Sequence, residues 1–107
     1  MPILPPMPIT DKLRQEWVAA LDSEQYPQCR RALADTKTRS YCCLGLLMKL
    51  AGRDPLSGDH WEYPASSATI SQDDQESMIR LNDDDSLSFR QIAQRLRDNP
   101  LLCAPQS

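Results

Sequence analysis

A single histidine, His60, is the whole imidazole supply of this 107-residue sequence, so a thiol or hydroxyl nucleophile needing an imidazole base would have to use that one loop position. Its four cysteines, Cys29, Cys42, Cys43 and Cys103, contain no C-x-x-C pair, which removes the knuckle from which most structural zinc sites are built. The N-terminal stretch is apolar but has no basic lead-in and is broken by four prolines, so it fits neither a secretory signal nor a membrane span. The expectation is a cytoplasmic protein whose cysteines are free thiols used for packing. Neither a catalytic residue, a metal nor a cofactor is assigned.

What is present is a strong apolar segment and a segregated charge. Between Tyr41 and Gly52 the positions Cys43, Leu46, Leu47 and Leu50 fall at helical spacing, and Gly52 stands where a left-handed C-cap is wanted. This segment is the expected centre of the core. Adjacent helical positions diverge by about 100°, which predicts one buried and one half-exposed thiol at Cys42 and Cys43. Near a helix N-terminus either would be the sharpest enzymatic option, with packing the preferred reading.

The net charge of −3 conceals two opposite blocks. From Cys29 to Arg53 six bases face one acid, a balance of +5; from Asp54 to Ser88 nine acids face Arg80 alone, a balance of −8. Such blocks either attract each other within the fold or steer charged partners.

Along the chain, residues 1–9 read as a Pro-rich arm, 10–100 as one globular domain and 101–107 as a C-terminal tail. Thr10 caps a first helix over 11–22, with Leu13, Trp17, Val18 and Leu21 on one stripe and Trp17 as a core anchor. Residues 23–40 read either as an irregular loop or as a short hairpin, with strands at 31–34 and 38–41 joined by Asp35-Thr36-Lys37. Residues 53–72 have loop composition, with Trp61 and Tyr63 tucking the loop inward. Ser71 caps a short helix over 72–81 that presents Met78, Ile79 and Leu81 inward and is broken by Asp83-Asp84-Asp85. Ser88 and Gln91 form a capping-box pattern ahead of Phe89, Ile92, Ala93 and Leu96, and Asn99-Pro100 stops that helix. The fold class is therefore mainly α, three to four helices with a minor β-hairpin. The run from Asn82 resembles the start of a calcium loop, but Leu87 stands where glycine is required and Ala93 where glutamate is required, so a turn role is preferred.

Three pieces, Tyr26-Pro-Gln28, Tyr41-Cys-Cys-Leu-Gly45 and Leu81-Asn-Asp83 with Ser88-Phe-Arg-Gln-Ile-Ala93, together resemble small uncharacterised proteins of bacteriophages and prophages. The resemblance implies a phage accessory protein acting in the cytoplasm of a host bacterium. The short acidic chain is similar in kind to anti-CRISPR inhibitors, which block a host nucleic-acid-targeting defence by stoichiometric binding. On that reading the partner is a host defence protein or ribonucleoprotein complex, engaged by an acidic surface carrying Asp73, Asp74, Asp83, Asp84 and Asp85 that mimics a phosphate track. The alternative is single-stranded nucleic-acid binding, with Arg30, Arg31, Lys37 and Arg39 on phosphates and Tyr26 and Tyr41 as stacking rings. A pI of 5.0 opposes non-specific affinity of that kind.

Overall fold

Thr10 opens the first helix, α1 (Asp11–Ser23), by accepting from the Leu13 amide, and Asp11 in the first turn suits the helix dipole. The computed structural model describes residues 9–52, 54–56 and 69–104. Within them the order is α1, β1 (Ala34–Asp35), β2 (Ser40–Tyr41), α2 (Cys43–Leu50), α3 (Gln72–Ile79), a π-helical turn (Arg80–Asp84) and α4 (Phe89–Asp98). Four α-helices and a two-stranded antiparallel hairpin thus make up the expected mainly α domain. None of these helices is long and apolar enough to cross a membrane.

Helix α2 is the centre of the core, and it is buried on more than one face. Cys43, Leu44, Gly45, Leu46, Leu47 and Met48 are all buried, because α1, α3 and the hairpin surround the helix. Trp17 of α1 is fully buried and donates from Nε1 to the Cys43 carbonyl at 2.9 Å, anchoring α1 to the start of α2 as an aromatic with a satisfied polar handle. Gly45 is required by close approach: a Cβ there would overlap the Leu33 carbonyl oxygen, which itself accepts from the Cys42 amide. Gly52 has φ 93°, the left-handed conformation expected past the helix end.

Helix α4 runs against α1. Its Ser88 capping box is complete, with Ser88 Oγ accepting from the Gln91 amide and Gln91 Oε1 from the Ser88 amide. Phe89, Ile92, Ala93 and Leu96 are its buried stripe. At the far end Arg14 of α1 donates to the carbonyls of Leu96 at 2.8 Å, Asn99 at 3.2 Å and Leu102 at 2.9 Å, tying α1 to the last turn of α4, whose Leu96 carbonyl has no partner within the helix, and to the turn that follows. Exposed ion pairs from Arg90 and Arg97 to Asp22 add little to this packing.

Three expectations are corrected. The strands are shorter than 31–34 and 38–41 and the first is displaced: Ala34 pairs with Tyr41 and Asp35, expected in the turn, with Ser40, while the left-handed φ of 52° at Arg39 ends the pairing on the turn side of β2. The three aspartates do not end the third helix at 81; it widens into the π turn, with the Asp85 amide donating to the Arg80 carbonyl at 2.9 Å. Cys42 and Cys43 are both buried, since Cys42 lies before the helix as its N-cap rather than inside it. Ile9, at the edge of the Pro-rich arm, and Cys103, in the tail, are also fully buried. The remainder of the arm, His60, Trp61 and Tyr63 lie outside the described residues.

Candidate functional site

The two charge blocks meet in a polar knot between the loop ahead of the hairpin and the π turn. Gln28 Nε2 donates to Asn82 Oδ1 at 2.9 Å and to the Leu87 carbonyl at 2.8 Å. Asn82, only 1 % exposed, donates from Nδ2 to the Cys29 carbonyl at 3.0 Å, and the left-handed Arg31 donates its amide to Asp83 Oδ1 at 2.8 Å. Arg30 adds a side-chain donation to the Ser86 carbonyl at 3.1 Å. The extra residue of the π turn turns Asn82 inward while Asp83 faces Arg31. Gln28, Asn82 and Asp83 are thus fixed by architecture, through bonds to backbone groups and amides rather than through charge pairs between the blocks.

The predicted acidic surface divides accordingly. Asp74 accepts from the Cys103 amide at 2.9 Å and Asp83 from Arg31, so these two act as internal acceptors. Asp73, in the first turn of α3, and Asp84 and Asp85, in and after the π turn, are exposed. Asp85 also lines an open groove of about 640 Å³ between the end of the π turn and the end of α4, with Arg80, Arg95, Asp98 and the 85 % exposed Leu101.

The predicted stacking rings are not available as a pair of open faces. Tyr26 and Tyr41 meet edge to face at 6.3 Å, Lys49 Nζ lies 5.7 Å from the Tyr26 ring centroid, and Tyr41 is buried. Burial and then the hydrogen bond to Asp54 at 2.9 Å push the Tyr41 hydroxyl up to about 12. The cations differ: Arg30, Arg31, Lys37 and Arg39 are all exposed, and among the described residues none forms an ion pair. Asp35, the acid of their own block, is occupied by the turn, accepting from the Lys37 amide at 2.9 Å.

Burial governs the thiols. It pushes Cys42 up to about 11, Cys103 to about 12 and Cys43 well above its ordinary value, and Cys29 is raised by the same cause. This is the opposite of the depressed value that makes a thiol a nucleophile near neutral pH. Cys42 instead serves as an acceptor, its Sγ capping the Gly45 amide at 3.3 Å. Among the described residues no group of three or more His, Cys, Asp or Glu side chains could hold a metal ion.

The sequence reading missed Gln28 and Asn82 as a pair. The available signal was that both are amides standing outside every helical stripe. No curated protein and no solved structure matches the chain. A family model described as a Domain of unknown function (DUF8296) matches residues 9–65, more than half of the sequence and a span that takes in Trp17, Gln28, the hairpin and α2. The chain belongs to the family of that domain of unknown function, DUF8296.

Proposed function

We propose that the protein is a phage-type accessory protein that inhibits a host nucleic-acid-targeting defence by stoichiometric binding to a protein or ribonucleoprotein complex. The observation that carries the reading is the exposure of Asp73, Asp84 and Asp85 on α3 and the π turn, whose neighbours Asp74 and Asp83 accept from the backbone amides of Cys103 and Arg31. Carboxylates displayed in this way complement a cationic nucleic-acid channel and accelerate encounter with it. The raised thiols support binding rather than nucleophilic chemistry.

One observation favours a second reading, direct binding of single-stranded nucleic acid: Arg31, Lys37 and Arg39 are exposed and unpaired among the described residues. Phosphate contacts of this kind release counterions and are salt-sensitive. The engaged Tyr26 and Tyr41 rings weigh against the stacking half of such a site.

Capture from bacterial lysate, with and without nuclease, combined with a gel shift on short single-stranded DNA and RNA at about 0.15 M salt, separates the two. The inhibitor reading expects a protein captured irrespective of nuclease, no oligonucleotide shift, and slower association once Asp84 and Asp85 are changed to Asn. A shifted oligonucleotide that is lost on Arg31→Glu and Arg39→Glu would overturn it in favour of the second reading.

A further inference from the structure

Cys29 and Cys42 stand side by side for a reason of backbone register. The Tyr41 amide donates to the Pro27 carbonyl at 2.9 Å and the Cys29 amide to the Tyr41 carbonyl at 2.8 Å, the pattern of a parallel bridge pairing Gln28 with Tyr41. One residue further along both strands are Cys29 and Cys42. Successive side chains of a strand point to opposite faces, so these two share the face opposite Gln28 and Tyr41. Paired strands lie about 4.8 Å apart, inside the roughly 4.4–6.8 Å between Cα atoms that a disulfide spans. We propose that Cys29 and Cys42 are an oxidation-sensitive dithiol that closes to a disulfide on exchange with a small-molecule disulfide such as oxidised glutathione.

Access assigns the order of events. Cys29 is half-buried, with its thiol in contact with the Ala32 carbonyl at 3.6 Å and the Ser40 side chain, whereas Cys42 is 7 % exposed and Cys43 and Cys103 are sealed in the core. The Cys29 thiolate attacks one sulfur of the glutathione disulfide and expels one glutathione thiolate. The Cys42 thiolate then attacks the Cys29 sulfur of the mixed disulfide and expels the second. One S–S bond is made and one broken; the two protein thiols are oxidised, the small disulfide is reduced to two thiols, and the two protein protons pass to the departing thiolates. Because burial raises both protein thiols, the exchange is slow near neutral pH and quickens as the solution is made alkaline.

The closed form joins the two ends of the segment carrying Arg30, Arg31, Lys37 and Arg39 into a covalent ring, fixed to the N-cap of α2. It limits the freedom of the unfolded chain, so the oxidised protein melts higher than the reduced one.

The test is treatment of the full chain with oxidised glutathione at mildly alkaline pH, followed by intact mass under non-reducing conditions and tandem mass spectrometry of the proteolysed product. The expected result is loss of two hydrogens with no retained glutathione, a link from Cys29 to Cys42 with fragmentation distinguishing Cys42 from Cys43, reversal by dithiothreitol, and a glutathione adduct trapped on Cys29 in the Cys42→Ser protein. Glutathione retained on Cys29 of the unsubstituted chain, a link to Cys43 or Cys103, or no oxidation at all would overturn the proposal. The unsubstituted chain decides the matter by itself, so a folding defect in the serine variant does not obscure it.

Discussion

Gln28 donates across to Asn82, tying the loop ahead of the hairpin to the π turn: the Gln28 amide donates to the Asn82 carbonyl oxygen at 2.9 Å, and the Asn82 amide carries the connection back to the carbonyl of Cys29 at 3.0 Å. Removing Asn82 takes the side-chain donor from the Cys29 carbonyl and leaves Gln28 Nε2 with the Leu87 carbonyl alone, in a half-buried setting. Asn82→Ala should therefore cost about 2 to 3 kcal/mol, seen as a lower urea midpoint with unchanged slope. Gln28→Ala should cost about 1 kcal/mol, and the double variant should cost less than the sum, because each change removes the same bond.

Gly45 has no room for a methyl group, since its α-carbon faces the Leu33 carbonyl. Gly45→Ala should force α2 away from the hairpin and cost about 3 kcal/mol, with the bond from the Cys42 amide to that carbonyl weakened. Thermal unfolding followed by circular dichroism checks this; an unchanged midpoint would sink the close-approach argument.

Arg14 gathers three carbonyls at the end of α4. Arg14→Ala should cost about 2 kcal/mol by taking the donor from the Leu96 and Leu102 carbonyls, the Asn99 carbonyl keeping the Leu102 amide. Arg14→Lys should recover only part of that loss, because a single ammonium lacks the guanidinium's planar fork of donors. Denaturant titration of the three proteins gives the ranking.

Alkaline stability follows from the thiols. Burial raises Cys42 to about 11 and Cys103 to about 12 from an ordinary value of 9.0, so the folded state keeps protons that the unfolded state gives up. Their contribution is complete below about 9 and is lost as pH rises through about 11 to 12. The melting temperature of the reduced protein should fall across that window, and replacing Cys103 by Ala should flatten the fall.

Leu47 and Ser88 calibrate the scale. Leu47→Ala should cost about 2 to 5 kcal/mol as a cavity in the central helix. Ser88→Ala should cost about 1 kcal/mol through loss of the cap on α4.

Local signals in the sequence translated well. Thr10, Ser71 and Ser88 cap the helices they were expected to cap, and the stripe of Phe89, Ile92, Ala93 and Leu96 is the buried face of α4. Periodicity understated α2, where Leu44 and Met48 are buried as well: spacing identifies one apolar face, but the number of faces covered depends on distant partners. The π turn was illegible for the same reason. Three aspartates after Asn82 read as a helix stop, and only the loop carrying Gln28 and Arg31, some fifty positions earlier, gives Asn82 and Asp83 the partners that make a wider turn favourable. Among the site residues, the exposure of Asp73, Asp84 and Asp85 fits their composition, while the internal use of Asp74 and Asp83 depends on contacts no local pattern encodes.

Helix α2 has eight residues, short of the roughly 12 to 15 at which an isolated helix begins to hold in water. It therefore exists only while α1, α3 and the hairpin are seated around it. No partial opening can release its backbone protons without dismantling those neighbours, so hydrogen exchange at the Leu46 and Leu47 amides should occur only through complete unfolding. Exchange at these two amides becomes a direct gauge of the free energy of the whole domain.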